Sequence, residues 1–361
     1  MPLWSLVTPL AAAALLALSF VLPPGVAISI ASALALVGAV IAAVHHAEVI
    51  AHRVGEHFGT LVLALAVTLI EVALIVSMML AGGPDKAALP RDTIFATLMI
   101  VCNGVVGLCL VLGSLRHHEQ AFRAEGANTF LATLIAMSTL TLVLPTFTTS
   151  SPGPTYTTSQ LAFAAVMSLL LWSSFVLVQT RRHRDYFLPV GGAADAADLA
   201  DLDSHAAPPS ARTAWTSAAL LLVALVGVVG LAKVLSPAIE RGLASVGAPA
   251  AVLGIAIALL VLLPETVAAV RAARANRLQT SFNLAYGSGL ASIGLTIPAV
   301  AVASVWLGLP LTLGIDAKDL VLLTMTFVVS AITLVSGRGH VMQGAVHLVI
   351  FAAFLFLALV P

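Results

Sequence analysis

Residues 61–80 have the sequence LVLALAVTLIEVALIVSMML, in which Glu71 is the only charged residue. A second stretch of this kind, AVLGIAIALLVLLPETVAAV at 251–270, has Glu265 as its only charge. An apolar run of about 20 residues is long enough to cross the hydrocarbon core of a bilayer as a helix. The two stretches therefore predict membrane-spanning helices that each bury a single acid.

The composition of the whole chain agrees with a membrane location. Hydrophobic residue types make up 60% of the 361 residues and charged types 9%, and the mean hydropathy is +1.09. A soluble domain devotes about a quarter of its residues to charge. Most of the surface must therefore face membrane lipid. The formal net charge of zero argues against nucleic acid as a partner.

Eleven apolar runs emerge when the chain is divided at charged residues and at Pro/Gly clusters. They predict an all-α polytopic membrane protein with about 11 transmembrane helices. The first run has no basic segment before it and no small-residue cleavage site after it, so we expect a retained span and not a signal peptide. The predicted spans cover 3–22, 25–44, 58–81, 93–114, 127–145, 159–179, 213–235, 248–270, 281–307, 315–336 and 340–360.

The basic residues predict the orientation, because cytoplasmic loops carry an excess of lysine and arginine. With eleven spans, 11 of the 16 basic residues fall on the side of the N-terminus and five on the other side. We therefore expect the N-terminus in the cytoplasm and the C-terminus outside. The eleven are Arg53, Arg116, Arg123, Arg181, Arg182, Arg184, Arg212, Arg271, Arg274, Arg277 and Arg338, and the five are Lys86, Arg91, Lys233, Arg241 and Lys318.

The two acid-bearing spans occupy similar positions in two halves of the chain. Each is followed by a span with small and polar residues, at 103–107 in the first half and 283–294 in the second. Five spans per half place the halves in opposite orientations, as in transporters built from inverted repeats. The predicted domains are a first transmembrane helix (1–24), a first five-helix repeat (25–180), a cytoplasmic hydrophilic loop (181–212) and a second five-helix repeat (213–361).

The hydrophilic loop has two interpretations. It starts with the basic residues of 181–184 and continues with many alanines and with Asp195, Asp198, Asp201 and Asp203. Such a segment is typical of a flexible, solvated linker between two membrane halves. The aspartates also raise the hypothesis of a weak cation sensor, although they lack the glycine and the twelfth-position glutamate of an EF-hand.

Acids inside a membrane span are costly and usually serve ion or proton transport. Two carboxylates close together in a medium of low dielectric constant favour their protonated forms, and a bound Ca²⁺ ion would instead neutralise both charges. A site at which protons and a cation exclude each other is the basis of an antiporter. We expect Glu71 and Glu265 to form such a site, with Pro264 disrupting the helix beside Glu265.

Calcium needs six to eight oxygen ligands, and two bidentate glutamates supply at most four. The expected supporting ligands are polar residues of the spans that follow the acids, together with backbone carbonyls and water. The alternative is that these side chains only hold helices together, as small and polar residues often do in membranes. The candidates are Asn103, Asn283, Ser288 and Ser292.

The segment 45–57, which contains several histidines, lies between the second and third predicted spans. We expect Glu48 and Glu56 to attract cations to the cytoplasmic entrance, with a histidine adjusting transport to pH. A solvated helical connector with internal salt bridges and a metal-binding cluster are the alternatives for this segment.

Several motifs, taken together over nearly the whole chain, resemble the ChaA-type calcium/proton antiporters of the cation/calcium exchanger superfamily. The resemblance implies exchange of cytoplasmic Ca²⁺ for external H⁺ in a bacterial inner membrane, with Na⁺ or K⁺ as alternative cations, no cofactor, and Glu71 and Glu265 as paired ligands. One departure is His57, where the family usually has proline after the glutamate. The motifs are His46-Ala47-Glu48, Arg53-Val54-Gly55-Glu56, 59–63, Glu71-Val72, Pro264-Glu265, Asn283-Leu284, Gly287-Ser288, Leu290-Ala291, 295–298, Ser336-Gly337-Arg338, Gly344-Ala345 and His347-Leu348.

Two other classes of membrane protein compete with the antiporter. An intramembrane hydrolase is the remote alternative: His118-Glu119 is followed by Phe122 where a zincin has its second histidine, and Ser288 has only the distant His347 as a candidate histidine base. A channel does not need a pair of buried carboxylates that binds a cation tightly. Among antiporters, exchange of Na⁺ or K⁺ for H⁺ is the main alternative. The sequence predicts no enzyme activity.

Overall fold

The computed structural model describes residues 1–22, 25–54, 56–190, 209–245, 247–249 and 251–360, and it describes only the backbone at 56–61 and 244. Helices dominate this part of the chain. They are α1 (Leu3–Ser19), α2 (Val26–Val54), α3 (Glu56–Gly82), α4 (Leu89–Met99), α5 (Val106–His117), α6 (Ala124–Ser138), α7 (Leu144–Phe147), α8 (Thr158–Leu177), α9 (Ala211–Ser245), α10 (Ala251–Arg274), α11 (Leu278–Ala291), α12 (Ile297–Leu307), α13 (Ala317–Val335) and α14 (Val341–Leu359).

Four π-helical turns continue or join these helices: Ile100–Val105, Thr139–Val143, Val178–Arg182 and Ser292–Thr296. The first joins α4 to α5 and the last joins α11 to α12, so each lies in the span that follows a glutamate-bearing helix. π-Helical turns are rare and occur often at functional sites. These two carry Asn103 and Ser292, two of the predicted ligands.

The helical segments confirm the predicted fold class. In the described ranges, ten segments are long and apolar enough to cross a membrane, and the 17-residue α1 is a shorter apolar helix. Each of the eleven predicted spans falls on one of these segments. The helices α2 and α9 continue about ten residues beyond their predicted ends, because helical hydrogen bonding does not stop where the apolar run stops.

Contacts between Cα atoms divide the chain into two compact units. The first comprises Met1–Leu89, Ala207–Ala250 and Trp306–Pro310, and the second comprises Pro90–Ala206, Ala251–Val305 and Leu311–Pro361. The glutamate-bearing helix α3 belongs to the first unit and the glutamate-bearing helix α10 to the second.

In the first unit, α2 packs against α3 and α9, and α1 packs against α2 and α9. His46 of α2 is fully buried and joins three helices, since its Nε2 lies 2.8 Å from the carbonyl oxygen of Ser5 and its Nδ1 lies 3.3 Å from Oγ of Ser217. Lys86, just after α3, forms a salt bridge of 3.2 Å with Glu240 of α9. Buried polar groups need partners of this kind.

In the second unit, two pairs of loops bind each other through their backbones. The short strands β1 (Glu119–Ala121) and β2 (Arg338–His340) pair antiparallel, with Gln120 opposite Gly339. In the other pair, the backbone N–H of Gly314 donates to the carbonyl of Pro154 at 2.9 Å. Each strand has only three residues, which is too short for a period-two pattern of hydrophobicity to stand out in the sequence, so the sequence did not predict them.

The chain after α8 folds back onto the second unit. Its π-helical turn is followed by a 3₁₀ helix at Arg184–Phe187, residues that were predicted to lie in the hydrophilic loop. Phe187 is buried against Phe130 and Phe175, with ring centroids 5.4 and 5.7 Å apart. A Cβ atom on Gly126 would lie 2.3 Å from the carbonyl oxygen of Tyr186, so only glycine permits this approach. The four aspartates of the predicted loop lie outside the described residues.

Replacement of Gly344 by alanine should destabilise the protein. A Cβ at this position would meet the carbonyl oxygen of Gly107 at 2.8 Å, and overpacking of this kind costs about 1–3 kcal/mol. Gly242 of α9 is the matched control, since nothing lies within 4 Å of its Cβ position. Thermal unfolding in detergent should show a lower midpoint for Gly344→Ala and an unchanged or slightly higher one for Gly242→Ala. Equal midpoints would contradict the packing.

Replacement of Phe187 by alanine should release the segment after α8, because a buried aromatic side chain anchors it. Trypsin should then cleave after Arg181, Arg182 or Arg184 roughly tenfold faster than in the parent protein. Phe356→Ala, at a position that is 63% exposed, serves as the control. Mass spectrometry of the fragments measures the effect, and unchanged cleavage would show that Phe187 does not anchor the segment.

Candidate functional site: buried acids and polar residues in the spans

Glu71 lies near the middle of the 27-residue helix α3, as predicted, and is only 1% exposed. Its neighbours along the helix, Ile70 and Leu74, are equally buried. The helix packs against α2 and α9 of the first unit. A carboxyl group at this depth is far from bulk water. In such an apolar environment, a proton or a bound cation is needed to offset its negative charge.

Glu265 lies in α10 and is half-buried. The expected disruption of the helix at Pro264 is wrong, because α10 runs without interruption from Ala251 to Arg274. Proline removes one backbone N–H and leaves the carbonyl four residues earlier, that of Leu260, without its helical donor, but the flanking turns continue. The departures from α-helical geometry occur instead in the following span, at Ser292–Thr296.

Asn103 lies in the π-helical turn of the span after Glu71 and is completely buried. Its amide nitrogen donates to Oγ1 of Thr326 at 2.9 Å, and its amide oxygen lies 3.1 Å from Nδ1 of His347. These partners belong to α13 and α14. Neither was among the predicted site residues, and His347 was named only within a family motif and as a distant candidate base in the hydrolase alternative, although a histidine within an apolar span is itself a signal of a functional position.

The two predicted serine ligands lie on consecutive turns of the same span. Ser288 is half-buried in α11, and Ser292 is 4% exposed at the start of the π-helical turn. The nearby Gly294 allows close packing, since a Cβ there would lie 2.6 Å from Cβ of Trp172 in α8. Glycine is therefore required at that position for packing.

Asn283 has both ends of its amide engaged in the second unit. Nε2 of Gln279 donates to its oxygen at 2.9 Å, and its nitrogen donates to the carbonyl oxygen of Phe187 at 2.6 Å. These bonds hold the segment after α8 against α11. They give Asn283 a structural role, and its role as a ligand stays a prediction.

The predicted cytoplasmic entrance is partly within the described residues. Glu48 is exposed near the end of α2, and residues 45–54 belong to this helix and not to a separate connector. The side chains of Glu56 and His57 lie outside the described residues. In the described ranges, no three His, Cys, Asp or Glu side chains are grouped so as to hold a metal ion.

The predicted residues fall into two groups. The first unit contains Glu48 and Glu71, and the second contains Glu265 and the four supporting candidates. Within the second unit, the π-helical turn that carries Asn103 packs against both α10 and α11. The structure therefore brings the helix of Glu265, the turn of Asn103 and the helix of Ser288 together.

Comparison with known proteins identifies relatives over the whole chain. Residues 24–181 and 216–360 match the family described as sodium/calcium exchanger protein. The chain is 47% identical to the putative ionic transporter y4hA of Sinorhizobium fredii (strain NBRC 101917 / NGR234), over 100% of this chain and 97% of that protein. It is 34% identical to the sodium-potassium/proton antiporter ChaA of Escherichia coli (strain K12), over 92% of this chain and 89% of that protein.

Solved structures show the same fold. The structure of native YfkE superimposes with a TM-score of 0.72 at 16% identity, covering 99% of this chain and 100% of that chain. The H⁺/Ca²⁺ exchanger CAX superimposes with a TM-score of 0.69 at 16% identity, covering 98% of this chain and 88% of that chain. At these identities the likeness concerns the fold alone.

The matches confirm the predicted resemblance and exclude the hydrolase alternative, since the family consists of transporters and not of enzymes. Apolar helices of membrane-spanning length agree with this assignment. The chain is an integral membrane protein that belongs to the sodium/calcium exchanger family of cation antiporters.

Proposed function

We propose that this protein exports cytoplasmic Ca²⁺ in exchange for H⁺ by alternating access, with Glu71 and Glu265 binding either the cation or protons. The observation that carries the proposal is the presence of one acid in each of two apolar helices, with Glu71 only 1% exposed and Glu265 half-buried. A relative that is 25% identical over 71% of this chain and 71% of its own length, from Aphanothece halophytica, is named Ca(2+)/H(+) antiporter.

Exchange follows from competition for the same oxygens. A carboxylate pair in a medium of low dielectric constant is stable when it holds protons or when it holds a divalent cation, and is unstable when it is charged and empty. Reorientation of the empty charged site across the membrane is therefore slow. The binding site returns to the cytoplasmic side only when protons have replaced the cation.

The supporting ligands would come from the spans after each acid. Asn103 and Ser292 both lie in π-helical turns, where the change in hydrogen-bond register leaves some backbone groups outside the regular α-helical pattern. Ser288 lies one helical turn before Ser292. Asn283 completes the proposed set, with its amide shared with the segment after α8.

The loop pairs of the second unit support the proposed inverted repeats (25–180 and 213–361). If each repeat has five spans, strand β1 follows the third span of the first repeat and β2 follows the fourth span of the second. Pro154 follows the fourth span of the first repeat and Gly314 follows the third span of the second. Exchanging the two repeats therefore converts the pairing of β1 with β2 into the pairing of Pro154 with Gly314. A two-fold axis that relates the two repeats requires this.

The excess of basic residues supports an N-terminus in the cytoplasm and a C-terminus outside the bacterial inner membrane. Single cysteines at two exposed loop positions test this orientation. Ser150→Cys should react with a membrane-impermeant maleimide in intact cells, whereas Ala275→Cys should react only after the membrane is opened. The native Cys102 and Cys109 are buried and provide the unreactive background. The reverse pattern of labelling would invert the proposed topology.

Exchange of Na⁺ or K⁺ for H⁺ is a second candidate function on the same scaffold. It is favoured by the relative from Escherichia coli, which is named a sodium-potassium/proton antiporter and is 34% identical to this chain. The two functions share the acids and the mechanism and differ in the cation.

Inside-out vesicles with an imposed proton gradient and a pH-sensitive dye test both functions. Micromolar Ca²⁺ should dissipate the gradient, and Glu71→Gln and Glu265→Gln should each lower the rate about a hundredfold or more, because an amide has neither an acidic proton to exchange nor a negative charge to bind the cation. Glu125→Gln, at an exposed position outside the apolar core of its helix, is the control and should keep the parental rate.

A response to Na⁺ or K⁺ but not to Ca²⁺ would establish the second candidate and reject calcium as the substrate. Parental rates in both glutamate variants would reject the proposed site.

A further inference from the structure

Four buried polar side chains of the second unit form a continuous line of hydrogen bonds. Thr333 and Thr326 lie on α13, His347 lies on α14, and Asn103 lies in the π-helical turn between α4 and α5. Each is 2% exposed or less. The proposed exchange mechanism does not use His347, Thr326 or Thr333.

The direction of each hydrogen bond follows from the last member of the line. The hydroxyl of Thr326 donates to the carbonyl oxygen of Leu322 at 2.8 Å, so its oxygen accepts from Asn103 at 2.9 Å. The nitrogen of the Asn103 amide therefore faces Thr326. The opposite orientation of the amide would bring two acceptors together there.

The orientation of Asn103 in turn assigns the proton on the histidine. The amide oxygen of Asn103 faces His347, so Nδ1 of the ring carries hydrogen and donates across 3.1 Å. Nε2 is then an acceptor, and it receives the hydroxyl proton of Thr333 across 3.1 Å. The hydrogen bonds that link the four side chains therefore all run from donor to acceptor in the same sense along the line. Bonds in such a chain polarise and strengthen one another.

The amide of Asn103 keeps one unused position. One of its N–H groups is bound by Thr326, and the sulfur of Met99 lies 3.9 Å from the same nitrogen. The amide oxygen has two lone pairs, and His347 occupies one of them. One lone pair of the oxygen remains, and oxygen is the ligand that Ca²⁺ and Na⁺ prefer.

The packing around this line brings the helices close together. A Cβ on Gly107 would lie 3.1 Å from the carbonyl oxygen of Gly344, and a Cβ on Gly104 would lie 3.3 Å from the ring of Phe351. Glycines at these positions let α14 approach the π-helical turn closely, so that His347 reaches Asn103. The same turn packs against α10, the helix of Glu265.

We propose that His347, together with Thr326, is a positioning residue for cation transport, which fixes the side chain of Asn103 so that the remaining lone pair of its oxygen is available to the transported cation. This inference rests on the proposed function, in which Asn103 supports the two glutamates. Without these two partners the buried amide of Asn103 would rotate. Its N–H₂ group would then take the place of the oxygen that faces the bound cation.

Substitutions of His347 and Thr326 test this role through the affinity for the cation. His347→Leu and Thr326→Val should each raise the KM for the transported cation about tenfold, with a smaller change in the maximal rate per folded protein. His347→Asn places an amide N–H near the position of Nδ1 and should restore the KM to within about threefold of the parental value.

Thr141→Val is the matched control for Thr326→Val. Thr141 is also fully buried in the second unit, but its hydroxyl binds only the carbonyl oxygen of Met137 in its own helix, at 2.8 Å. Its KM should remain parental. Size-exclusion chromatography and thermal unfolding in detergent report the folded amount of each variant, and equilibrium binding of radioactive Ca²⁺ to the purified proteins measures affinity without transport.

An unchanged KM and unchanged binding in His347→Leu and Thr326→Val, with only a lower yield or unfolding midpoint, would overturn the inference and leave a purely structural network. If His347→Leu does not fold, the KM of Thr326→Val compared with that of its control Thr141→Val still decides the question. The glutamate variants report on the proposed function separately: parental transport in Glu71→Gln and Glu265→Gln would overturn that function and the inference that rests on it.

Discussion

A backbone N–H or carbonyl group inside a bilayer has no water to bind, and this constraint underlies the rest of the structure. Long helices satisfy those groups within each segment, which is why the described chain is almost entirely helical. Departures from regular helix are then confined to places where neighbouring helices supply the missing partners. The π-helical turns at Ile100–Val105 and Ser292–Thr296 lie in two of the most buried spans of the second unit.

The same constraint controls the polar side chains. In the first unit, His46 finds its partners in α1 and α9. In the second unit, Asn103, Thr326, His347 and Thr333 satisfy one another. Close helix packing at Gly107 and Gly344 makes the second set geometrically attainable. Polar groups in this membrane protein therefore depend on small residues at neighbouring positions, and the two kinds of residue act together.

The fold was largely predictable because its signal is local and strong. Each apolar run of about 20 residues corresponds to a helix, and the errors lie at the ends of α2 and α9. The effect of Pro264 was misjudged, since a proline bends or weakens one turn without ending a helix that its surroundings support. The site was predictable only in part. The acids stood out in the sequence by their charge, whereas nothing in the sequence indicated that the amide of Asn283 binds the carbonyl oxygen of Phe187.

The sequence by itself determined the number and position of the spans and the burial of Glu71, because hydrophobicity along a continuous segment decides these. Its motifs, and not its hydrophobicity, indicated the family to which the chain belongs. Only the tertiary structure decided which partner each buried polar side chain has. Asn103 is 223 residues from Thr326 and 244 residues from His347. Such pairs arise from the way helices pack, and no periodicity or composition within a single span contains that information.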